Sequence, residues 1–252
     1  MIGPTLRAEW TKLRTIPGPA WLLAGVVVST IAVGSAAAAA TTCRGGACGV
    51  DPARLALVGI QLGQAVVAVL AVLCMGGEYG TGLVHVTLAA TPRRMTVLAA
   101  KASVLAAVVA GAAALAVAGS LVVARMILPG HGIPLPLGDA PVLRAAAGSV
   151  LYLVLIAGLA LGIATVVRDS ATAIGIVLAL LYAYPMVIRV VSDPAWLRRL
   201  ERLGPTTAGL AVQATTGLDG QSIGPWRGLG VLAVWTGVAL TVGAVVLHRR
   251  DA

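Results

Sequence analysis

The length, composition and charge of this chain exclude a soluble domain of ordinary composition. It has 252 residues, of which 59% are hydrophobic and 11% are charged, and its mean hydropathy is +0.97. The net charge of +9 does not indicate a nucleic-acid partner, because the Lys and Arg residues lie at the ends of apolar runs rather than in one basic cluster. The sequence therefore predicts a protein whose main solvent is the lipid bilayer.

Six apolar stretches follow one another along the chain, and each is long enough to cross a bilayer as a helix. The sequence predicts membrane spans at residues 20–40, 55–75, 99–123, 145–167, 171–188 and 229–247. The first is too long for the core of a cleaved signal peptide and is interpreted as a retained span. Lys101 is the single charge inside these windows, and we expect its ammonium to snorkel into the nearby interface. The predicted fold class is an all-α integral membrane protein with a single six-span domain.

The distribution of Lys and Arg in the short flanks of the spans predicts that both termini are cytoplasmic. Nine such residues lie on the side of the termini and four on the other side. Residues 189–228 add five arginines to the other side and make the totals equal, but longer segments are translocated with less regard to charge. We therefore expect a multi-pass protein of the inner (cytoplasmic) membrane.

Two segments outside the spans have the pattern of amphipathic helices. Leu6, Trp10 and Leu13 repeat at helical spacing before the first span, which fits an N-terminal interfacial helix or simply a basic topogenic tail. Between the fifth and sixth spans, Asp193 and Gly204 bound a segment with an apolar stripe and a basic face. This segment predicts an external amphipathic helix, with a solvated basic loop as the alternative.

Few polar residues in the spans are suited to chemistry. No Asp or Glu lies centrally in a predicted span, the three His residues are far apart, and the chain has no P-loop motif. We therefore expect no catalytic, cofactor or metal site in this chain. Gln61 and Gln64 in the second span either line a substrate path or hydrogen-bond neighbouring helices. Tyr182 and Tyr184 near the outer end of the fifth span are interpreted first as an aromatic belt.

Small residues and cysteines give two further predictions. Glycine pairs at four-residue spacing predict close helix packing, and they are Gly59 and Gly63 in the second span and Gly158 and Gly162 in the fourth. Cys43 and Cys48 lie in the first external loop, where a disulfide is favoured and two free thiols are the alternative.

The segment between the second and third spans carries the most specific pattern. An acidic-aromatic pair is followed by Thr-Gly, Thr-Leu, Thr-Pro-Arg-Arg, Val-Leu and Lys, and these residues are Glu78, Tyr79, Thr81, Gly82, Thr87, Leu88, Thr91, Pro92, Arg93, Arg94, Val97, Leu98 and Lys101. Thr91 is suited to cap the helix of the third span and Pro92 to begin it. The apolar residues before them fit a short surface helix, with an ordinary basic interfacial loop as the alternative.

This pattern resembles the cytoplasmic loop of the ABC-2 type permease family. The opening residues 6–14, Leu-Arg-Ala-Glu-Trp-Thr-Lys-Leu-Arg, resemble the interfacial start of the same family, especially of its actinobacterial members. The six spans and the external helical segment agree with this resemblance. Gly80 departs from the family pattern, because a basic residue often follows the acidic-aromatic pair.

The resemblance implies a function, partners and site residues. The loop would be a coupling helix that docks in a separate ABC ATPase subunit, which binds the ATP and Mg²⁺. Two permease copies, identical or different, would enclose the path of an exported hydrophobic or amphipathic substrate. The implied ATPase-coupling residues are Glu78, Tyr79, Thr81, Gly82, Leu88, Thr91, Pro92, Arg93 and Arg94, with Glu78 as an anchor at the membrane boundary and the two arginines near the ATPase. The sequence leaves open a membrane anchor, sensor or immunity protein without transport, and a lipid-acting membrane enzyme.

Overall fold

The structure of the chain, a computed structural model, describes residues 2–15, 17–41, 49–80, 94–131 and 133–250. It is 86% helical, and the described residues form no strand. Six of the described helices are long and apolar enough to cross a membrane. The predicted all-α membrane fold is confirmed.

The helices follow one another along the chain with short connections. They are α1 (Ile2–Thr15), α2 (Pro17–Ala40), α3 (Pro52–Ala56), α4 (Ile60–Gly80), α5 (Arg94–Ile127), α6 (Ala140–Val167), α7 (Ser170–Leu178), α8 (Tyr184–Ile188), α9 (Pro194–Leu203), α10 (Pro205–Gly209) and α11 (Pro225–Arg250). Tight 3₁₀ turns cover Leu128–His131, Leu210–Gln213 and Leu218–Gly220, and a π turn at Ala179–Ala183 joins α7 to α8. Spans one to six are α2, α4, α5, α6, the continuous segment α7–α8, and α11.

Span four is the centre of the bundle. It packs against spans two, three and six, and its side chains Tyr152, Leu153 and Ile156 are fully buried. Span one packs on spans two and three, and span five packs on spans two and four. Because lipid provides no hydrophobic drive between helices, this arrangement depends on close van der Waals packing and on interhelical hydrogen bonds.

The glycines expected at close helix contacts lie at such contacts. A Cβ atom added at Gly162 would lie 2.6 Å from the carbonyl carbon of Ala239 in span six, and one added at Gly63 would lie 2.6 Å from Thr30 Oγ1 in span one. A Cβ atom added at Gly59 would collide with the carbonyl oxygen of Thr30, and one added at Gly158 would lie 2.7 Å from Thr236 Cγ2 in span six. The prediction of close packing at these four positions is confirmed.

The helix of span two begins at Ile60, whereas the predicted apolar window begins at Leu55. The residues before Ile60 form the short helix α3, which Asp51 caps, and then a tight turn in which backbone N–H groups bond three residues back. Gly59 lies in this turn, against the backbone of Thr30. The apolar pattern continues across the break, and for that reason hydropathy does not detect it.

Span five contains the π turn, which the sequence analysis did not predict. The N–H of Tyr184 bonds to the carbonyl of Ala179, five residues earlier. Pro185 follows directly, has no N–H to donate, and in a regular helix would crowd the carbonyl of Leu181. The wider turn relieves that crowding and keeps the span continuous.

The two predicted helices outside the spans are present. The first is α1, and the second is α9, where Asp193 accepts the N–H of Ala195 at 2.7 Å and Gly204 ends the helix. None of the residues of α9 is buried. After α9 the chain folds back into the bundle, where Val212 and Gln213 are buried beside span four.

Candidate functional site

Four charged side chains meet where α1, span two and span three come together. The ammonium of Lys101 lies 2.7 Å from Glu9 Oε2 and 2.8 Å from Glu78 Oε1. The ammonium of Lys12 lies 2.9 Å from Glu9 Oε1 and 2.8 Å from the same Glu78 oxygen. Two ammonium groups and two carboxylates thus form a closed ring of ion pairs without net charge, which we call the charge cluster.

The core of the charge cluster is buried. Glu9 is 4% exposed and Lys101 is 5% exposed. Lys101 also donates to the carbonyl of Cys74 at 3.2 Å, so all three of its N–H groups have acceptors. The expectation that Lys101 snorkels into the interface is therefore wrong, because its ammonium turns into the bundle to meet two carboxylates. A buried charge is tolerated when it is paired and hydrogen-bonded in this way.

The pairing keeps the two residues that α1 contributes to the charge cluster ionised. Burial by itself raises the pKa of Glu9, but the charges and hydrogen bonds of Lys101 and Lys12 outweigh it and hold that pKa below its ordinary value. Burial by itself lowers the pKa of Lys12, but its bonds with Glu78 and Glu9 outweigh that effect and hold the pKa above its ordinary value. Glu9 and Lys12 are therefore both charged over the whole neutral range.

The charge cluster includes one residue from the helix before segment 81–93 and one from the helix after it. Glu78 is near the end of α4, and Lys101 is in the second turn of α5. Their ion pairs join the two helices that carry this segment to each other, and Glu9 and Lys12 join both to α1. The site therefore fixes three elements at one point.

Several predicted site residues lie outside the described residues. They are Thr81, Gly82, Leu88, Thr91, Pro92 and Arg93 of the expected coupling loop, and Cys43 and Cys48 of the expected disulfide. Arg94 begins α5, and its side chain is also outside the described part. The coupling helix and the disulfide stay predictions.

Tyr79 lies beside the turn between spans four and five. The Arg168 guanidinium carbon is 5.5 Å from the centroid of the Tyr79 ring, which is a cation–π distance. Arg168 has a left-handed φ of 65° and ends span four with its N–H on the carbonyl of Ala164 at 2.9 Å. Beside this contact, Gly76 packs directly on Ser170. The turn between spans four and five thus rests on the end of span two, just before segment 81–93.

A polar cavity of about 420 Å³ lies toward the opposite end of span two, between span five and residues 201–223. Gln61, Gln64 and Tyr182 all line it. Gln64 is buried and its side-chain oxygen accepts the hydroxyl of Tyr152 in span four, while the hydroxyl of Tyr182 donates to the backbone carbonyl of Gln61. Tyr184 points elsewhere, and its hydroxyl donates to the carbonyl of Leu200 in α9 at 2.9 Å. Three of the four predicted residues therefore share one hydrogen-bonding cavity.

Asp51 joins the start of α3 to the segment before span six. Its carboxylate accepts the hydroxyl of Thr215 at 2.6 Å and the N–H of Thr216 at 3.0 Å. Arg144 adds a second link, with a hydrogen bond to the carbonyl of Ala214 at 2.7 Å. Burial raises the pKa of Asp51, but the hydrogen bonds from Thr215 and from the neighbouring backbone outweigh it, so the pKa lies below its ordinary value.

Sequence reasoning missed Glu9 and Lys12 as partners in the charge cluster. A signal was present, because Glu9 is the one acidic residue of the otherwise basic helix α1. Glu78 and Lys101 also stand near the facing ends of two successive antiparallel spans, where opposite charges at similar depth are candidates for pairing.

No protein-family model matches the sequence, and a search of curated proteins finds no match. Within the described residues, no group of three or more His, Cys, Asp or Glu side chains could hold a metal ion. The chain is a multi-pass helical membrane protein with a largely buried ring of ion pairs at one end of its second span and a polar cavity at the other.

Proposed function

We propose that this chain is the membrane-spanning permease subunit of an ATP-binding-cassette transporter of the ABC-2 type. It exports a hydrophobic or amphipathic substrate, and a separate ATPase subunit binds and hydrolyses the ATP. The residue pattern of segment 78–101, the pattern of residues 6–14 and the six spans support this proposal. The proposed location is the cytoplasmic membrane, with both termini in the cytoplasm and with a second permease copy as partner.

The charge cluster is the observation that carries the proposal. A docking loop can drive a transporter only when movement of the loop is passed on to the spans rather than lost in a flexible joint. The ion pair between Lys101 Nζ and Glu78 Oε1, at 2.8 Å, joins the two helices that flank segment 81–93. The ion pair between Lys101 and Glu9 joins them to α1. In the proposed mechanism, ATP-driven movement of the partner ATPase displaces segment 81–93, and spans two and three move with it as one unit.

A second contact extends this unit toward the far side of the bundle. Tyr79 meets Arg168 at the turn between spans four and five, beside the packing of Gly76 on Ser170. Span two also carries Gln61 and Gln64 at its other end, in the wall of the polar cavity. In the proposed mechanism, span two links the docking loop to the polar cavity, which forms part of the substrate path.

The test begins with purification of the tagged chain from its native membranes in a mild detergent. An ATPase subunit identified by mass spectrometry should be present in equal amounts, and the reconstituted complex should hydrolyse ATP. The variant Arg93→Glu/Arg94→Glu should insert normally but lose the ATPase, since it reverses the charge of the proposed docking loop. The matched control is Arg198→Glu/Arg199→Glu, an adjacent arginine pair in α9, which should keep the ATPase.

Reconstitution distinguishes the proposal from the other functions. The chain alone in vesicles should move no solute when ATP is added, and the complex with its ATPase should. Robust flux by the chain alone would overturn the proposal. A stable complex with an ATPase but without ATP-driven flux would instead favour a non-transporting anchor or sensor.

A further inference from the structure

An apolar cavity of about 610 Å³ lies beside the charge cluster, between α1 and spans one, two and three. Its walls include Leu13, Pro19, Leu22, Leu70, Leu73 and Leu105. Leu73 is 42% exposed, so the cavity opens sideways, toward the surface of the bundle that faces lipid. The charged groups of Glu9, Lys12, Glu78 and Lys101 form its polar end. The cavity is thus amphipathic, with an apolar body and a charged mouth.

Two glycines help to keep the cavity open. A Cβ atom added at Gly18 or at Gly77 would have no other heavy atom of a neighbouring element within 4 Å. Water is a poor occupant of such a space, because apolar walls provide none of the two to four hydrogen bonds that a buried water needs. A hydrocarbon chain from the adjoining leaflet needs no hydrogen bonds and can contact these walls directly. Its entry through the side of the bundle requires no passage through water.

The charged mouth favours an anion. Lys101 uses its three N–H groups on Glu9, Glu78 and the carbonyl of Cys74. Within the described part of the chain, Lys12 uses two of its three N–H groups, and its side chain is 37% exposed. The third N–H is therefore available to an acceptor outside the bundle. Arg7 and Arg14 are also exposed on α1, so this helix carries an excess of positive charge that attracts anionic headgroups to its neighbourhood.

We propose that this cavity is a binding site for one anionic phospholipid of the adjoining leaflet. One acyl chain occupies the space between α1 and spans one to three, and a phosphate oxygen accepts the free N–H of Lys12. The lipid fills the gap between α1, which lies in the headgroup layer, and the spans, and so completes the surface on which α1 packs. This inference is independent of the proposed transport function, since it needs only the bilayer.

The test is native mass spectrometry of the full chain, released from nanodiscs that contain equal amounts of phosphatidylglycerol and phosphatidylcholine. The wild type should retain one phospholipid per chain and should prefer phosphatidylglycerol. Gly77→Leu places a side chain in the cavity and should lower the retained lipid by about tenfold or more. Gly175→Leu is the matched control, because it makes the same change in span five at a position where a Cβ is equally unobstructed. It should retain lipid like the wild type.

Two further variants keep the proposal falsifiable if Gly77→Leu does not fold. Gly18→Leu fills the cavity from span one and should also lose the lipid. Lys12→Met should keep the lipid but lose the preference for phosphatidylglycerol. Each variant is first checked for a single symmetric gel-filtration peak. The proposal is overturned if the wild type retains no phospholipid, if it does not distinguish the two headgroups, or if both cavity-filling variants fold and keep their lipid.

Discussion

Replacing Lys101 with methionine measures how far the charge cluster stabilises the bundle. Methionine keeps an unbranched apolar stem but removes the ammonium, which leaves the carboxylates of Glu9 and Glu78 with Lys12 as their one cation in the ring. At an effective dielectric constant of about 20, two unit charges roughly 4 Å apart attract by about 4 kcal/mol. Lys101 makes two such contacts, and its desolvation offsets part of the gain. The expected loss in free energy of unfolding is therefore about 3–5 kcal/mol.

Two matched variants separate the ion pairs from other effects of the substitution. Arg125→Met removes an exposed cation from the opposite end of the same span and should change stability by less than about 0.5 kcal/mol. Glu9→Gln combined with Lys101→Met removes one charge of each sign. Because it leaves no excess buried charge, the double variant should lose less stability than the two single variants together, by about 1–3 kcal/mol.

The measurement is equilibrium unfolding in mixed micelles, followed by tryptophan fluorescence as the fraction of denaturing detergent increases. Gel filtration before unfolding confirms that each variant starts folded. If Lys101→Met unfolds within about 0.5 kcal/mol of the wild type, or if the two single effects are simply additive, the ion pairs do not stabilise the bundle and the reasoning is refuted.

Three other substitutions test separate features. The folded pKa of Glu9 lies below its ordinary value of 4.5, so its stabilising contribution is complete above that value and is lost as the pH falls through the folded pKa. Acid should therefore lower the melting temperature of Glu9→Gln less than that of the wild type. Equal acid sensitivity of the two proteins would contradict this. Gly162→Ala should lower the free energy of unfolding by about 1–3 kcal/mol, because the new Cβ would meet the backbone of span six. The control Gly175→Ala should be neutral or stabilising. Scanning fluorimetry that ranks the two variants in the opposite order would refute the packing argument. Asp51→Ala removes the cap of α3 and the hydrogen bonds to the segment before span six, and should lower the free energy of unfolding by about 1–2 kcal/mol. It should also speed limited proteolysis between α9 and span six. An unchanged cleavage rate would show that the segment is held by other contacts.

The spans could be predicted from the sequence because lipid leaves the backbone few alternatives to the helix. Their ends were harder to predict, since a hydropathy window stops at charges that the folded chain accommodates. Span three extends beyond both predicted limits, from Arg94 to Ile127, and it includes Arg125 on an exposed surface. Pro185 was visible in the sequence, but whether a proline kinks a span, ends it or widens one turn depends on the neighbouring helices.

The charge cluster could be predicted only in part. Glu78 and Lys101 belong to the loop pattern that the sequence analysis singled out, but the local sequence shows no partner for Lys101, and snorkelling was the natural expectation. Its partner Glu9 lies 92 positions away and is brought near by the packing of α1 against span three. Likewise, the meeting of Gln61 and Tyr182 depends on the packing of span five beside span two, which the pattern of either span alone does not determine.

The long sequence separations inside the charge cluster bear on how the protein is assembled during synthesis. Helix α1 is made before any of the six spans, but its counter-charges at Glu78 and Lys101 enter the membrane only with spans two and three. Until then Lys12 is the one member of the charge cluster that can pair with Glu9, and α1 has no fixed position on the bundle. An early-made segment thus reaches its final position late, and a nascent chain arrested before Lys101 should still leave α1 accessible to soluble reagents.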